Sequence, residues 1–201
     1  REAYPKVNVS MHQGSPDQVA KMLLEEVAEV GIATESLADY SELVTLPCYE
    51  WQHVLVMPEG HALAGKERIT LEDLAAEPLI TYHPSFTGRT RIDQAFAAKK
   101  LQPRIALEAI DSDVIKTYVR LGMGVGIVAG VAVDARRDGL VMLPCGHLFG
   151  RNVTRLAVKE GTYLRGFVYS FVEMLVPGWD KRRIEEALGR FVDWMKKNKP
   201  V

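Results

Sequence analysis

The stretch DSDVIKTYVRLGMGVGIVAGVAVD, from Asp111 to Asp134, constrains the fold more than any other part of the chain, because its residues set the order of its elements. Asp111, Ser112 and Asp113 make an acidic, hydroxyl-bearing helix start, and Val114, Ile115, Tyr118 and Val119 line one face of the helix that follows. Gly122, Gly124 and Gly126 come next at alternate positions. Gly122 is suited to the left-handed conformation that ends a helix, after which the chain enters an apolar strand from Val125 to Ala129. The order is helix, glycines, strand. A phosphate-binding glycine loop needs the reverse order, since the amino end of a helix supplies the free N–H groups. GMGVG therefore reads as a tight helix-to-strand turn.

The same alternation runs along the whole chain. Lys6 to His12 alternates apolar and polar residues and is expected to be a strand. Ser15-Pro16-Asp17-Gln18 starts a helix that buries Val19, Met22, Leu23 and Val27. Strands are expected at Val30 to Thr34, Leu43 to Pro47 and Trp51 to Met57, then a short helix from Thr70 that ends before Pro78. Pro78 to Tyr82 is extended, Gly88 to Lys100 helical, and Arg104 to Ala109 the strand before the Asp111 helix. Beyond it come strands at Leu140 to Leu143 and Thr154 to Val158, then a helix from Thr162 to Leu175 with Phe167, Val168 and Phe171 inward. A last helix capped by Asp180 carries Ile184, Ala187, Leu188, Phe191 and Met195 at helical spacing and ends in a solvated basic tail, Lys196 to Lys199. Strands alternating with helices predict an α/β fold with largely parallel strands.

Composition limits function more than it directs it. At 201 residues, with 47% hydrophobic and 25% charged residues, the chain can bury about 70% of its unfolded surface. The formal charge of −1 gives no long-range pull toward nucleic acid or an anionic membrane, and no apolar run is long enough to span a bilayer. A cytoplasmic setting is expected. Cys48 and Cys145 each follow a Leu-Pro pair with no CxxC partner, so they read as small buried thiols. His53 and His147 lie near them in sequence, yet four ligands at regular spacing are absent, and no metal or cofactor is expected.

Three polar segments share one trait: His12-Gln13-Gly14-Ser15, Ser85-Phe86-Thr87-Gly88 and Asp111-Ser112-Asp113 each stand between an expected strand and a helix start. In an open α/β sheet such loops line the crevice at the strand carboxyl ends. Hydroxyls and helix-end amides there suit a small anion held without a full counter-charge. The competing reading is that Ser15, Thr87 and Ser112 only cap helices. Trp51, beside Tyr49, either closes over a ligand or packs in a core. His12, His61 and His83 belong to no Ser-His-Asp or His-Glu set, and Asp111 with Asp113 or Glu25 with Glu26 read as a cap and a solvated face. No catalytic residue is assigned, and the chain is not expected to be an enzyme.

Several segments carry a resemblance to a known family. MHQGSP (Met11 to Pro16), IATE (Ile32 to Glu35), LPCYEW (Leu46 to Trp51), LITYHPSFTGRTRID (Leu79 to Asp93) and the Asp111–Asp134 segment resemble the effector-binding domain of the CysB-type branch of LysR-type transcriptional regulators, from about Tyr4 to Phe171. The resemblance implies two Rossmann-like α/β subdomains of the type II periplasmic-binding-protein kind, with a ligand cleft between them. It implies residues 1–49 plus 151–176 as subdomain I, 50–150 as subdomain II, and 177–201 as a carboxyl-terminal helix and tail. It also implies control of sulfur assimilation and cysteine biosynthesis, with acetylserine, sulfate or thiosulfate as the small-molecule effector.

By the same resemblance, Thr34 and Thr87 match the threonines that hold a sulfate-like anion, and Trp51 matches the tryptophan at the cleft. Ser15, Gly14, Gln13 and Gly88 complete the expected effector site. The implied assembly is a homo-oligomer, dimer or tetramer, that reaches DNA only through a helix-turn-helix domain outside this sequence. The family's first strand and most of its first helix, with their TxTQ segment, are expected to be missing, and Leu24 to Glu29 replace the family's glycine and aspartate before IATE. A solute-binding protein for a small oxyanion, or an enzyme on the same fold, are the alternatives.

Overall fold

The structure is a computed structural model that describes residues 2–176 and 178–189. The chain forms two compact units, one from Arg1–Tyr49 with Thr154–Val201 and the other Glu50–Val153.

In the first unit, helix α1 (Pro16–Leu24) starts with a complete capping box: the Ser15 hydroxyl accepts from the Gln18 amide, and the Gln18 side chain accepts from Ser15 N–H at 2.9 Å. Strand β1 (Gly31–Thr34) pairs antiparallel with β7 (Arg151–Lys159), placing Gly31 opposite Ala157 and Thr34 opposite Thr154. A Cβ on Gly31 would lie 2.7 Å from Val19 and 2.8 Å from Leu23, so the glycine lets α1 sit directly on the sheet. Ala20, Leu23, Leu37, Leu43 and Ala157 fill that face. Helices α7 (Gly166–Leu175) and α8 (Lys181–Ala187) contribute to a second cluster in which Leu46, Leu156, Val168, Val172 and Ile184 are buried.

Three expectations fail in this unit. Lys6 to His12 is not a strand; Val9 and Met11 stand 79% and 89% exposed, because an alternating sequence forms a strand only beside a pairing edge. Val27 lies beyond the end of α1 and is exposed, and Phe171 is exposed because α7 buries the face carrying Val168, Tyr169 and Val172. Phe191, Met195 and the basic tail lie outside the described residues.

In the second unit, the strands lie in the order β6 (Val141–Pro144), β2 (Leu43–Met57), β5 (Val125–Ala129), β3 (Pro78–Tyr82), β4 (Arg104–Ala109). β3 is parallel to both β4 and β5, whereas β2 is antiparallel to both β5 and β6. The sheet is therefore mixed rather than largely parallel, since β5 reaches β2 in the opposite sense. β2 is also one strand, not the two expected: proline has an extended-compatible φ, so Pro47 does not end it. Leu55, Leu79, Ile92, Phe96 and Ile127 are buried on one face with α2 (Leu71–Ala75) and α3 (Thr87–Ala98), while Val56, Ile80, Ile115, Val119 and Val128 are buried with α4 (Ser112–Arg120).

The Asp111 segment folds as its residues dictate. Asp111 caps α4, accepting from the amides of Asp113 at 2.6 Å and Val114 at 3.3 Å, and Gly122 takes φ 78° at the turn into β5. Two short helices, α5 (Ala135–Asp138) and α6 (Gly146–Phe149), are too brief to show a period in sequence.

Candidate functional site

The second unit brings three of the seven expected site residues together. α3 starts at Thr87, directly after β3 and a turn in which His83 Nδ1 lies 2.9 Å from the Ser85 hydroxyl. Its second residue, Gly88, is buried against β2: a Cβ there would stand 3.1 Å from His53 Nε2 and 3.3 Å from the Trp51 ring. A side chain at this position would press on both rings, so the glycine lets the first turn of the helix lie close to the indole. Trp51 meets His53 edge-on with ring centres 5.1 Å apart, and the fully buried His53 meets Phe149 in the same way at 5.4 Å. The indole and imidazole are thus held in a row with the amino end of α3 laid across them.

Arg89 fixes that helix end from below. It is 7% exposed, and its guanidinium donates to the Tyr82 carbonyl at 2.9 Å, to Glu108 at 2.7 Å and to Asp93 at 2.7 Å. Burial alone would weaken its charge, but the two carboxylates outweigh it and hold the pKa above the ordinary arginine value. One cation therefore joins β3, β4 and α3. The Tyr82 hydroxyl in turn lies 2.8 Å from Ser112 Oγ and accepts from Ala129 N–H at 2.8 Å, and burial pushes its pKa up.

Thr87 does not act as a cap. The capping position is Phe86, whose side chain makes no cap bond. With its partial positive charge and no capping side chain, such an end suits a small anion.

The remaining four expected residues belong to the first unit. Ser15 is buried and committed to the α1 capping box, Gly14 packs so that a Cβ would lie 2.8 Å from Gln18 Oε1, and Gln13 is exposed. The segment before Ser15 is no strand, so it does not share the strand-to-helix setting of the other two loops. Thr34 ends β1, opposite the buried Thr154, and precedes a short 3-10 turn (Glu35–Asp39) without capping it.

His53 and Phe149 escaped the sequence reading as parts of this site. The available signal was the spacing of Trp51 and His53, two apart on a strand and hence on one face. Among the described residues, no three His, Cys, Asp or Glu side chains are grouped to hold a metal ion, and no helix is long and apolar enough to cross a membrane.

Comparison with known proteins gives this geometry its setting. The profile of the LysR substrate binding domain matches residues 1–180. The chain is 53% identical over 189 residues to the transcriptional regulator CysB of Burkholderia cenocepacia, covering 94% of this chain and 60% of that protein. It is 48% identical to SsuR of the same organism, covering 93% and 61%, and 40% identical to the regulator Cbl of Escherichia coli, covering 96% and 63%. The chain thus spans about three-fifths of the length of these curated relatives. Among solved structures it matches the cofactor-binding domain of the Cbl regulator with a TM-score of 0.84 at 41% identity, covering 94% of this chain and 83% of that one. The fold, the matched length and these identities make the chain a member of the LysR substrate-binding-domain family, an effector-binding domain of the CysB and Cbl kind.

Proposed function

We propose that this domain senses a small anionic effector for a LysR-type regulator of sulfur assimilation and cysteine biosynthesis. The effector is acetylserine or an oxyanion such as sulfate or thiosulfate. The reading is carried by the approach of Gly88 to Trp51, which sets the first turn of a helix whose N-cap side chain makes no cap bond beside an indole. Helix-end amides and a hydroxyl bind an anion without a full counter-charge, and the indole shields it from water. In this reading Thr87, Gly88 and Trp51 supply ligands to the effector.

The two subdomains are residues 1–49 with 151–176 and residues 50–150, followed by 177–201. In the whole protein the domain works as part of a homo-oligomer in the cytoplasm. DNA is bound by a separate helix-turn-helix domain, and effector binding shifts the domain between two conformations. The names CysB, SsuR and Cbl among its relatives support the link to sulfur regulation.

Titration calorimetry of the chain with N-acetylserine, sulfate and thiosulfate tests the reading. Thr87→Val keeps the side-chain shape and removes the hydroxyl, and is expected to cost about 1 kcal/mol or more of effector affinity with little change in melting temperature. Absence of heat with all three compounds would overturn the assignment.

A further inference from the structure

Helix α3 ends in a turn that opens a cavity beside β4. Lys100 holds φ 57°, and the amides of Lys100 and Leu101 donate back to the carbonyls of Ala97 at 2.9 Å and Phe96 at 3.0 Å. In this Schellman arrangement the chain doubles back on the helix end. A cavity of about 390 Å³ lies between α3, the returning segment and the start of β4, a volume typical of small-molecule sites. Its apolar walls are Phe96, Leu101, Pro103 and Ile105.

The polar end of the same cavity is made by Arg89 and Asp93. The guanidinium spends Nε on Asp93 Oδ1 and Nη1 on the Tyr82 carbonyl and Glu108 Oε1. Glu108 reaches it from the same side of β4 as Ile105, because a bulge inserts Ala106 between the pairs Leu79–Ile105 and Ile80–Leu107. The Nη2 N–H groups and Asp93 Oδ2 have no hydrogen-bond partner among the described residues. Nη2 stands beside Nε on the guanidinium edge that Asp93 meets, so donors and an acceptor are neighbours there. With Arg89 only 7% exposed, those donors have little water to turn to.

Charge decides what suits this end. Asp93 and Glu108 carry one negative charge more than Arg89 offsets. Arg104 does not correct the balance, since alternation along β4 turns it to the side opposite Ile105. Lys99 and Lys100 are exposed at the far end of α3, about 10 Å from Asp93 along the helix, where salt screens them.

We propose that this cavity binds an uncharged apolar carboxamide. Its carbonyl oxygen accepts from Arg89 Nη2, its N–H donates to Asp93 Oδ2, and its hydrocarbon body packs on Phe96, Leu101, Pro103 and Ile105. A carboxylate of the same shape brings no donor for Asp93 and meets the excess negative charge, and an amine brings no acceptor for Nη2. Thr87 and Trp51 take no part, so the site is separate from the effector reading above.

Cyclohexanecarboxamide and cyclohexanecarboxylate share a shape and differ in charge and donors, which makes them matched probes. In amide chemical-shift titrations of the isotope-labelled chain at pH 7, the carboxamide is expected to shift resonances of α3 and of residues 101–105, and the carboxylate to bind at least about tenfold more weakly. Ala97→Phe sets a ring at the cavity mouth from an exposed position that also lines it, and is expected to weaken the carboxamide at least about fivefold with little change in melting temperature. Asp93→Asn removes the excess charge and is expected to narrow the preference between the two probes. It decides the question if Ala97→Phe does not fold. Equal binding of the two probes by the parent, carboxamide binding unchanged in Ala97→Phe, a preference unchanged in Asp93→Asn, or no shifts in α3 and residues 101–105 at saturating probe would each overturn the proposal. None of these readouts uses N-acetylserine, sulfate or thiosulfate, so the outcome is distinct from that of the effector titrations.

Discussion

Gly124 passes so close to Pro78 that a Cβ added to it would lie 2.1 Å from the Pro78 carbonyl oxygen. The glycine also holds φ 155°, a conformation that other residues rarely adopt. It is the point where the turn after α4 crosses the start of β3, just before β5 pairs with that strand through Val125 and Leu79. Gly124→Ala must move one backbone or the other and is expected to destabilise the domain by about 3 kcal/mol. Gly122→Ala, also at positive φ but with open space around it, is expected to cost only about 1 kcal/mol. Urea unfolding of the two variants checks the difference, and equal losses would show that close approach is not what requires Gly124.

Arg89 is the second place where one residue holds several elements. Removing it leaves the Tyr82 carbonyl without its guanidinium donor, and Glu108 and Asp93 without their cation. The carboxylates are partly exposed and can turn to water, which limits the cost. Arg89→Met is expected to lose about 2–3 kcal/mol, and Arg89→Lys recovers little of it, because an ammonium cannot reproduce the fork of N–H groups. Full recovery by lysine in denaturant titrations would mean that charge alone matters here.

These two sites show what the sequence discloses and what it withholds. The turn at Gly122 to Gly126 is legible because a cap, an apolar helical face and alternate glycines are all local signals. The helix start at Ser15 is legible for the same reason, and the structure shows its capping box complete. Lys6 to His12 has the local signal of a strand and no strand forms, since pairing depends on a neighbour that alternation does not encode. The mixed sense of the sheet is hidden likewise, because β2 and β5 are separated by some seventy residues. Within the candidate site, Thr87 stands out as a hydroxyl near a helix start, but the meeting of Gly88 with Trp51 and His53 depends on a long-range crossing.

The two cysteines are expected to differ sharply in reactivity. Cys145 is fully buried, which pushes its thiol up to about 12, while the half-buried Cys48 is raised chiefly by burial, opposed by a backbone hydrogen bond to Leu156 and by Arg155. The thiolate is the reacting species, so iodoacetamide at pH 8 should label Cys48 slowly and Cys145 only once the second unit unfolds. Peptide mapping by mass spectrometry during alkylation follows both. Equal labelling rates in the native protein would show that Cys145 is open to solvent.

The acid stability of the domain should depend on Asp138. Its carboxylate lies 3.0 Å from the Lys116 ammonium, which also donates to the Ala132 carbonyl at 2.8 Å and sits 2.9 Å from Asp113. Burial on its own would raise the Asp138 pKa and lower that of Lys116. The hydrogen-bonded ion pair outweighs it in both, holding Asp138 below the usual carboxylate range and Lys116 above the usual ammonium range. A carboxylate with a depressed folded pKa stabilises the protein above its unfolded value of about 4, and the contribution is lost as pH falls toward the folded value. Lys116 has the opposite sign: its contribution is complete below about 10.4 and disappears as pH rises past it. Asp138→Asn should therefore be less stable than the parent at pH 7, with the two stability curves converging as pH falls below about 4. Urea unfolding from pH 7 to pH 2.5 measures both curves, and a constant gap across that range would place the acid-sensitive group elsewhere.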